Sequence, residues 1–252
     1  MFEGVYQFEV NFESGRGKLP IFYRKASASI SMFPAKTKEA EKLIPQKIKR
    51  LMKVDELIPG ITVLGLAGFK YEDTDIGQYN EVAVTLPLTE KSTLSRNFGL
   101  TRFILSLIRG DFKVHIRHLP VTTEIAREAG VVIYNYPKFV AKIDFEDDGK
   151  NFSLTKDKEK IFSLEVKRMF KTSIKKKFLF TTFQQKDEAV IKAEVLAEGE
   201  DIEIGFFSSE INLNINTEIG KELCSLLMSR RSLVSMFIPK MRAILHLPVK
   251  IA

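Results

Sequence analysis

The sequence predicts a mainly β, α+β protein: one strand-rich domain, a barrel or sandwich with a few added helices. Three observations carry this. Short alternating or continuous apolar runs recur along most of the chain. Helical periodicity is confined to four stretches. No linker, repeat or low-complexity segment interrupts the 252 residues, so a single domain spans 1–252.

The elements follow in order. "VYQFEVNF" (5–12) alternates polar and apolar residues, as a half-buried strand does. "TKEAEKLI" (37–44) reads as a helix with Thr37 as N-cap and Pro45 as its stop. "ITVLGLAGF" (61–69) is apolar throughout and punctuated by Gly65 and Gly68, the pattern of a buried, bent strand. "NEVAVTLPL" (80–88) and "KVHIRHLPV" (113–121) are strands. "TTEIAREAG" (122–130) is a helix with a threonine cap, Glu124 in its first turn and Gly130 as its stop. "FVAKIDFED" (139–147) and "NFSLT" (151–155) are strands joined by a turn at "DDGK", and three more strands fall between 188 and 216. "IGKELCSLLMSRR" (219–231) is an amphipathic helix, and "RSLVSMFIPKMRAILHL" (231–247) is a further helical stretch kinked at Pro239.

Composition narrows the classes. At 44% hydrophobic and 28% charged, the chain can build a core, and disorder is not expected. Lys plus Arg outnumber acids 39 to 32, a net charge of +7 that favours anionic ligands. That excess is mild, and no aromatic ladder accompanies the basic residues between Lys167 and Lys177, so they read as a solvated loop or hairpin and no nucleic-acid partner is expected. One cysteine excludes an intrachain disulfide and fits a reducing compartment; Cys224 reads as a small buried hydrophobe. No basic region precedes an apolar run at the start, and no run of about 18 apolar residues occurs, so a soluble cytoplasmic protein without a membrane partner is expected. GxxxxGK[ST], GxGxxG, HExxH, GxSxG and paired CxxC motifs are absent, and His115 and His118 have odd spacing on a strand, a poor metal pair. No cofactor and no metal are expected.

One lysine stands apart. "YNYPKFVAKI" (134–143) sets Lys138 among tyrosine, proline and apolar neighbours. Snorkelling, with the stem on apolar surface and the ammonium in water, is the plain reading. The sharper reading is a nucleophile. An amine attacks a carbonyl only when unprotonated, and an ordinary lysine with a pKa of about 10.4 is almost wholly ammonium at pH 7. Apolar burial shifts that balance towards the free amine. If 134–142 is extended, Tyr134, Tyr136, Lys138, Val140 and Lys142 share a face, and Lys142 repels a charge on Lys138.

The run from Gly130 to Lys138, "GVVIYNYPK", resembles the segment carrying the Schiff-base lysine of the acetoacetate decarboxylase family. "IGQYNEVAVTLPL" (76–88) is similar to that family's Gly-x-Tyr-x-Glu strand and sets Glu81 on its active-site glutamate. "LVSMFIPKMRAIL" (233–245) is similar to the family's C-terminal segment, and "GRGKLPIFYRK" (15–25) more loosely to its N-terminal one, with Arg16 near an active-site arginine. The chain also departs from the pattern. Phe139 stands where the decarboxylase has a second lysine, Val131-Val132 replaces an Arg-Glu pair, and the count back from Tyr79 to a second glutamate lands on Leu66.

The resemblance implies a closed, cone-like antiparallel β-barrel with additional sheet and peripheral helices, assembled as a homo-oligomer. It implies a small keto-acid substrate held as an imine on Lys138, with Glu81 orienting substrate or moving protons. In acetoacetate decarboxylase itself a neighbouring cation activates the lysine, and that mechanism comes with the resemblance, not from the residues of this chain. Arg16, Tyr136 and Tyr79 complete the expected substrate-binding set. Decarboxylation of a β-keto acid leads; an imine-dependent aldolase or dehydratase on an α-keto acid, and a non-catalytic binding protein on the same barrel, stay open.

Overall fold

The structure, a computed structural model, describes residues 1–92 and 98–251. β1 (Phe8–Phe12) and β2 (Gly15–Leu19) form a hairpin ahead of the long β3 (Ile21–Lys36). Then come α1 (Thr37–Leu43), α2 (Gln46–Leu51), the short β4 (Met52–Val54) and β5 (Glu56–Ile58), and the long pair β6 (Ile61–Thr74) and β7 (Tyr79–Glu90). α3 (Gly99–Arg109) leads into β8 (Asp111–His118), and α4 (Glu124–Tyr134) into β9 (Lys142–Glu146), β10 (Asn151–Lys156) and β11 (Glu159–Val166). β12 (Phe170–Lys171), β13 (Lys176–Lys186), β14 (Ala189–Glu200), β15 (Glu203–Phe206) and β16 (Ser209–Leu213) precede α5 (Glu218–Leu226), β17 (Val234–Leu245) and β18 (Val249–Lys250).

Seven strands close a barrel in the order β17-β3-β6-β7-β8-β13-β14, with β14 pairing back onto β17. Every neighbouring pair is antiparallel, as expected, except β8 with β13, which run parallel. β16, β11, β10 and β9 make a separate antiparallel sheet.

Two apolar cores follow from strand alternation. On β7, Val82, Val84, Leu86 and Leu88 face an outer core shared with Phe152, Leu154 and Phe162 of the second sheet. Ala83 faces the other way, into a core that fills the barrel and takes in Ala67, Ala197 and Ala243. A strand buried on both faces reads as a continuous apolar run, which is why 80–88 carries no polar alternation. Small residues at the inward positions leave room in the lumen.

Several expectations are corrected. Residues 231–247 hold no helix: 234–245 are the strand β17, paired with β3 on one side and β14 and β15 on the other. An apolar run of this length fits either period, and the register shift between Ile238 and Met241 brackets Pro239 in a bulge, where a missing N–H costs no ladder bond. α5 ends at Leu226, short of the expected 231. α1 begins with Thr37 as its first helical residue, Lys36 being the N-cap, and the Thr37 hydroxyl is buried without a partner. Cys224 is exposed, not buried. α4 runs through Gly130 to Tyr134 and stops at Asn135, whose φ of 52° is left-handed. α3 and the whole of β3 carried no expectation; the serines and lysines of β3 mask its alternation.

Candidate active site

Glu81 sits on the inward face of β7, opposite Phe69 of β6. Lys138 arrives from elsewhere. After α4 ends, the chain doubles back: the Tyr136 N–H donates to the Gly130 carbonyl at 3.0 Å, and the Lys138 N–H to the Tyr136 carbonyl at 2.8 Å. Val140 then bridges in parallel to Val121, tying the segment to the chain that follows β8. This turn lays the lysine side chain across Gly130. A Cβ on Gly130 would stand 2.3 Å from Lys138 Cδ and 2.5 Å from Cε, so only glycine leaves the path open.

The two side chains meet in the lumen. Lys138 Nζ donates to Glu81 Oε2 at 2.7 Å, with the side chains only 4% and 10% exposed. Such a buried pair is tolerated only when both charges are matched, since burial costs each ion on the order of several kcal/mol. Four tyrosines surround it. Tyr71 donates a long 3.4 Å bond to Glu81 Oε1, Tyr23 and Tyr79 share a 3.2 Å hydroxyl contact, and the Lys138 ammonium lies 5.6 Å from the Tyr79 ring centroid. Tyr136 hydrogen-bonds Thr182 Oγ1 at 2.8 Å and stacks on Tyr134 with centroids 5.3 Å apart. Burial, with the Glu81 carboxylate adding to it, holds the Tyr23 and Tyr71 hydroxyls well above the usual phenol range. Burial does the same at Tyr79 and, against the Thr182 bond, at Tyr136. These groups stay protonated donors at any ordinary pH.

The cavity beside Lys138 and Glu81 holds about 100 Å³. Its walls are mostly alanine, valine, isoleucine, leucine, methionine and phenylalanine, and among the described residues lining it Lys138 is the one cation and Glu81 the one carboxylate. The space suits a small molecule, and the chemistry is that of an amine and a carboxylate held in contact away from water.

Lys138, Glu81 and Tyr136 thus converge on the cavity wall, while Tyr79 is not part of that wall and meets Tyr23 and the Lys138 ammonium instead. Arg16 does not join them: it lies exposed on β2, opposite Asn11, and is not part of the cavity wall. The shared face expected for 134–142 is corrected, because helix and turn replace the extended strand there. Lys142 is 71% exposed and pairs with Asp144 at 2.8 Å, far from repelling Lys138. Phe139 packs against the outer core under the Lys156 ammonium, so it does not dry the lysine. Leu66 also faces the outer core, so that position could not have supplied a second lumen carboxylate. His115 Nδ1 contacts the Phe183 carbonyl at 3.0 Å and His118 Nε2 contacts Glu222 at 2.7 Å, so the two have separate partners. In the basic run, Lys167, Lys175 and Lys177 pair with Glu210, Glu200 and Glu198. Sequence reasoning missed Tyr23, Tyr71 and Thr182, which come from three other strands, and gave Gly130 the wrong task; a glycine inside a helical run was its only signal.

Comparison with known proteins bears on family and fold. The family model described as "Acetoacetate decarboxylase (ADC)" matches residues 11–243. No curated protein matches the chain. The acetoacetate decarboxylase of Legionella pneumophila superposes with a TM-score of 0.61 at 13% identity, covering 92% of this chain and 87% of that one. The enduracididine biosynthesis enzyme MppR, complexed with pyruvate, gives 0.59 at 12% identity over 92% and 91%. An acetoacetate decarboxylase-like enzyme from Sphingomonas wittichii RW1 gives 0.57 at 11% identity over 92% of each chain. Identities this low speak to the shared fold.

Proposed function

The chain belongs to the acetoacetate decarboxylase family, and from that premise we propose that it is a Schiff-base-forming lyase that decarboxylates a small β-keto acid through an imine on Lys138. The observation that carries this reading is the 2.7 Å contact between Lys138 Nζ and Glu81 in an otherwise apolar cavity. Glu81 takes a proton from the Lys138 ammonium as the ketone docks, and the free amine adds to the carbonyl carbon. Water leaves, and the product is a protonated imine. The bond to the carboxylate breaks, its electron pair moves to the imine nitrogen, and CO2 and an enamine result. Glu81, having given the lysine's proton to the departing water, is reprotonated by solvent and passes that proton to the enamine carbon. Hydrolysis releases the ketone and restores Lys138, so one proton is consumed for each CO2 formed. A carboxylate that meets no second cation loses its charge as CO2, which an apolar wall favours over the charged ground state. Tyr136 frames the substrate and Tyr79 backs the Lys138 ammonium, and the protein works as a homo-oligomer in the cytoplasm.

A second reading is an imine-dependent aldolase or dehydratase on an α-keto acid. It is favoured by the fold shared with MppR, which is solved with the condensation product of pyruvate and imidazole 4-carboxaldehyde. Both readings use the same imine.

Borohydride trapping with acetoacetate, acetone and pyruvate, followed by peptide mapping, tests them. The expected result is an adduct on Lys138, lost in Lys138→Ala and slowed in Glu81→Gln, with CO2 released from acetoacetate. An adduct with pyruvate alone and no CO2 from acetoacetate selects the second reading. No adduct with any ketone, on folded protein, overturns both.

A further inference from the structure

The lumen does not end at the lysine. Inward positions along β7 run Glu81, Ala83, Thr85 and Pro87, about 20 Å of strand at about 3.3 Å per residue. Glu81, Ala83 and Thr85 line the chamber that holds Lys138, and Thr85 and Pro87 line a second cavity of about 70 Å³. Thr85 and Val114 belong to both walls, so the chambers adjoin end to end inside one barrel. Gly65, opposite Thr85 across β6 and β7, makes room for the Thr85 side chain at this junction; a Cβ there would stand 2.4 Å from Thr85 Oγ1. Phe103 and Ser106 of α3 roof the far chamber, and Met32, Val63 and Phe112 give it apolar walls. Its two charged wall residues have partners at the rim: Asp55 takes Arg102 at 2.6 Å, and Lys113 takes Glu90 at 2.7 Å.

An apolar chamber in line with a reactive amine is of no use to a substrate as short as acetoacetate. We propose that the substrate carbonyl carries an unbranched aliphatic chain, which threads past Thr85 and Val114 and lodges under α3 while the carbonyl stays at Lys138. The substrate class is then an aliphatic β-keto acid with its tail on the side of the carbonyl away from the carboxylate, and the product is a methyl ketone. This rests on the imine reading for its chemistry but on the two joined cavities for its length.

The test uses methyl ketones of increasing length: acetone, methyl propyl, methyl pentyl and methyl heptyl ketone. Affinity is measured by calorimetry without reductant, and adduct formation on Lys138 separately with borohydride. Each added methylene is expected to tighten binding about fourfold until the chamber is full. Ser106→Phe, which fills the chamber from its roof, should flatten that dependence. Phe103→Ala, which enlarges it, should carry the gain to longer chains, and this opposite-signed variant keeps the test alive if Ser106→Phe fails to fold. Affinity that is flat or falls with length overturns the proposal, and adducts formed equally with all four ketones would then leave the imine reading standing alone. Length-dependent binding without any adduct supports the chamber and overturns the imine.

Discussion

Gly130 decides where Lys138 Nζ sits. It lies inside α4, a place where alanine is favoured over glycine by about 1 kcal/mol. Yet its Cβ position is taken by the middle of the Lys138 side chain. Gly130→Ala therefore costs both stability and chemistry. The displaced atoms belong to a flexible side chain, so the fold accommodates the methyl, but parting the buried ion pair outweighs the helix gain and the midpoint of urea unfolding falls. Nζ moves from its place beside Glu81, and a misplacement of about 1 Å costs roughly 100-fold in rate. Urea unfolding and the rate of Lys138 adduct formation, measured on one preparation, check both halves.

Among the elements, β8 and β13 form the parallel pair of the barrel. His115 of β8 supports it, with Nδ1 against the Phe183 carbonyl of β13. Burial, only partly offset by that bond, pushes its pKa down from 6.5 to about 4. The unfolded chain takes up this proton below about pH 6.5, whereas the folded protein resists until about pH 4. The contribution is whole above pH 6.5 and is lost as pH falls towards 4, by roughly 3 kcal/mol at most. Urea unfolding between pH 7 and pH 4 should show this loss, and His115→Asn, less stable at pH 7, should show a shallower decline. An unchanged slope in the variant would remove His115 as the cause.

For the whole molecule, closure depends on a strand from the far end of the chain. β17 lies between β3 and β14, joining residues more than 200 positions apart, such as Ile30 and Met236. Without it, two long edges and both cores open to water, and no local structure compensates. Removal of residues 234–252 should leave a chain with no cooperative thermal transition by calorimetry. A truncated protein that still melts sharply would show that β3 and β14 close without it.

The sequence by itself determined the strand-rich class and the turn at "DDGK", and it singled out Lys138 and Glu81 as expected site residues, because each is written in contiguous residues: "YPK" around Lys138 and "YNE" ending at Glu81. Local pattern was enough there. It failed at 231–247, where an apolar run fits a helix or a strand equally well and only pairing with β3 and β14 settles the period. It failed at Gly130, which looks like a stop until Lys138 is seen lying across it. It set Arg16 in the site, and the fold leaves Arg16 on an exposed hairpin outside the cavity wall. The second chamber, the tyrosines Tyr23 and Tyr71, and the contact between Lys138 and Glu81 were left to tertiary structure. They join residues from distant strands, and a distance across a barrel has no signature along the chain.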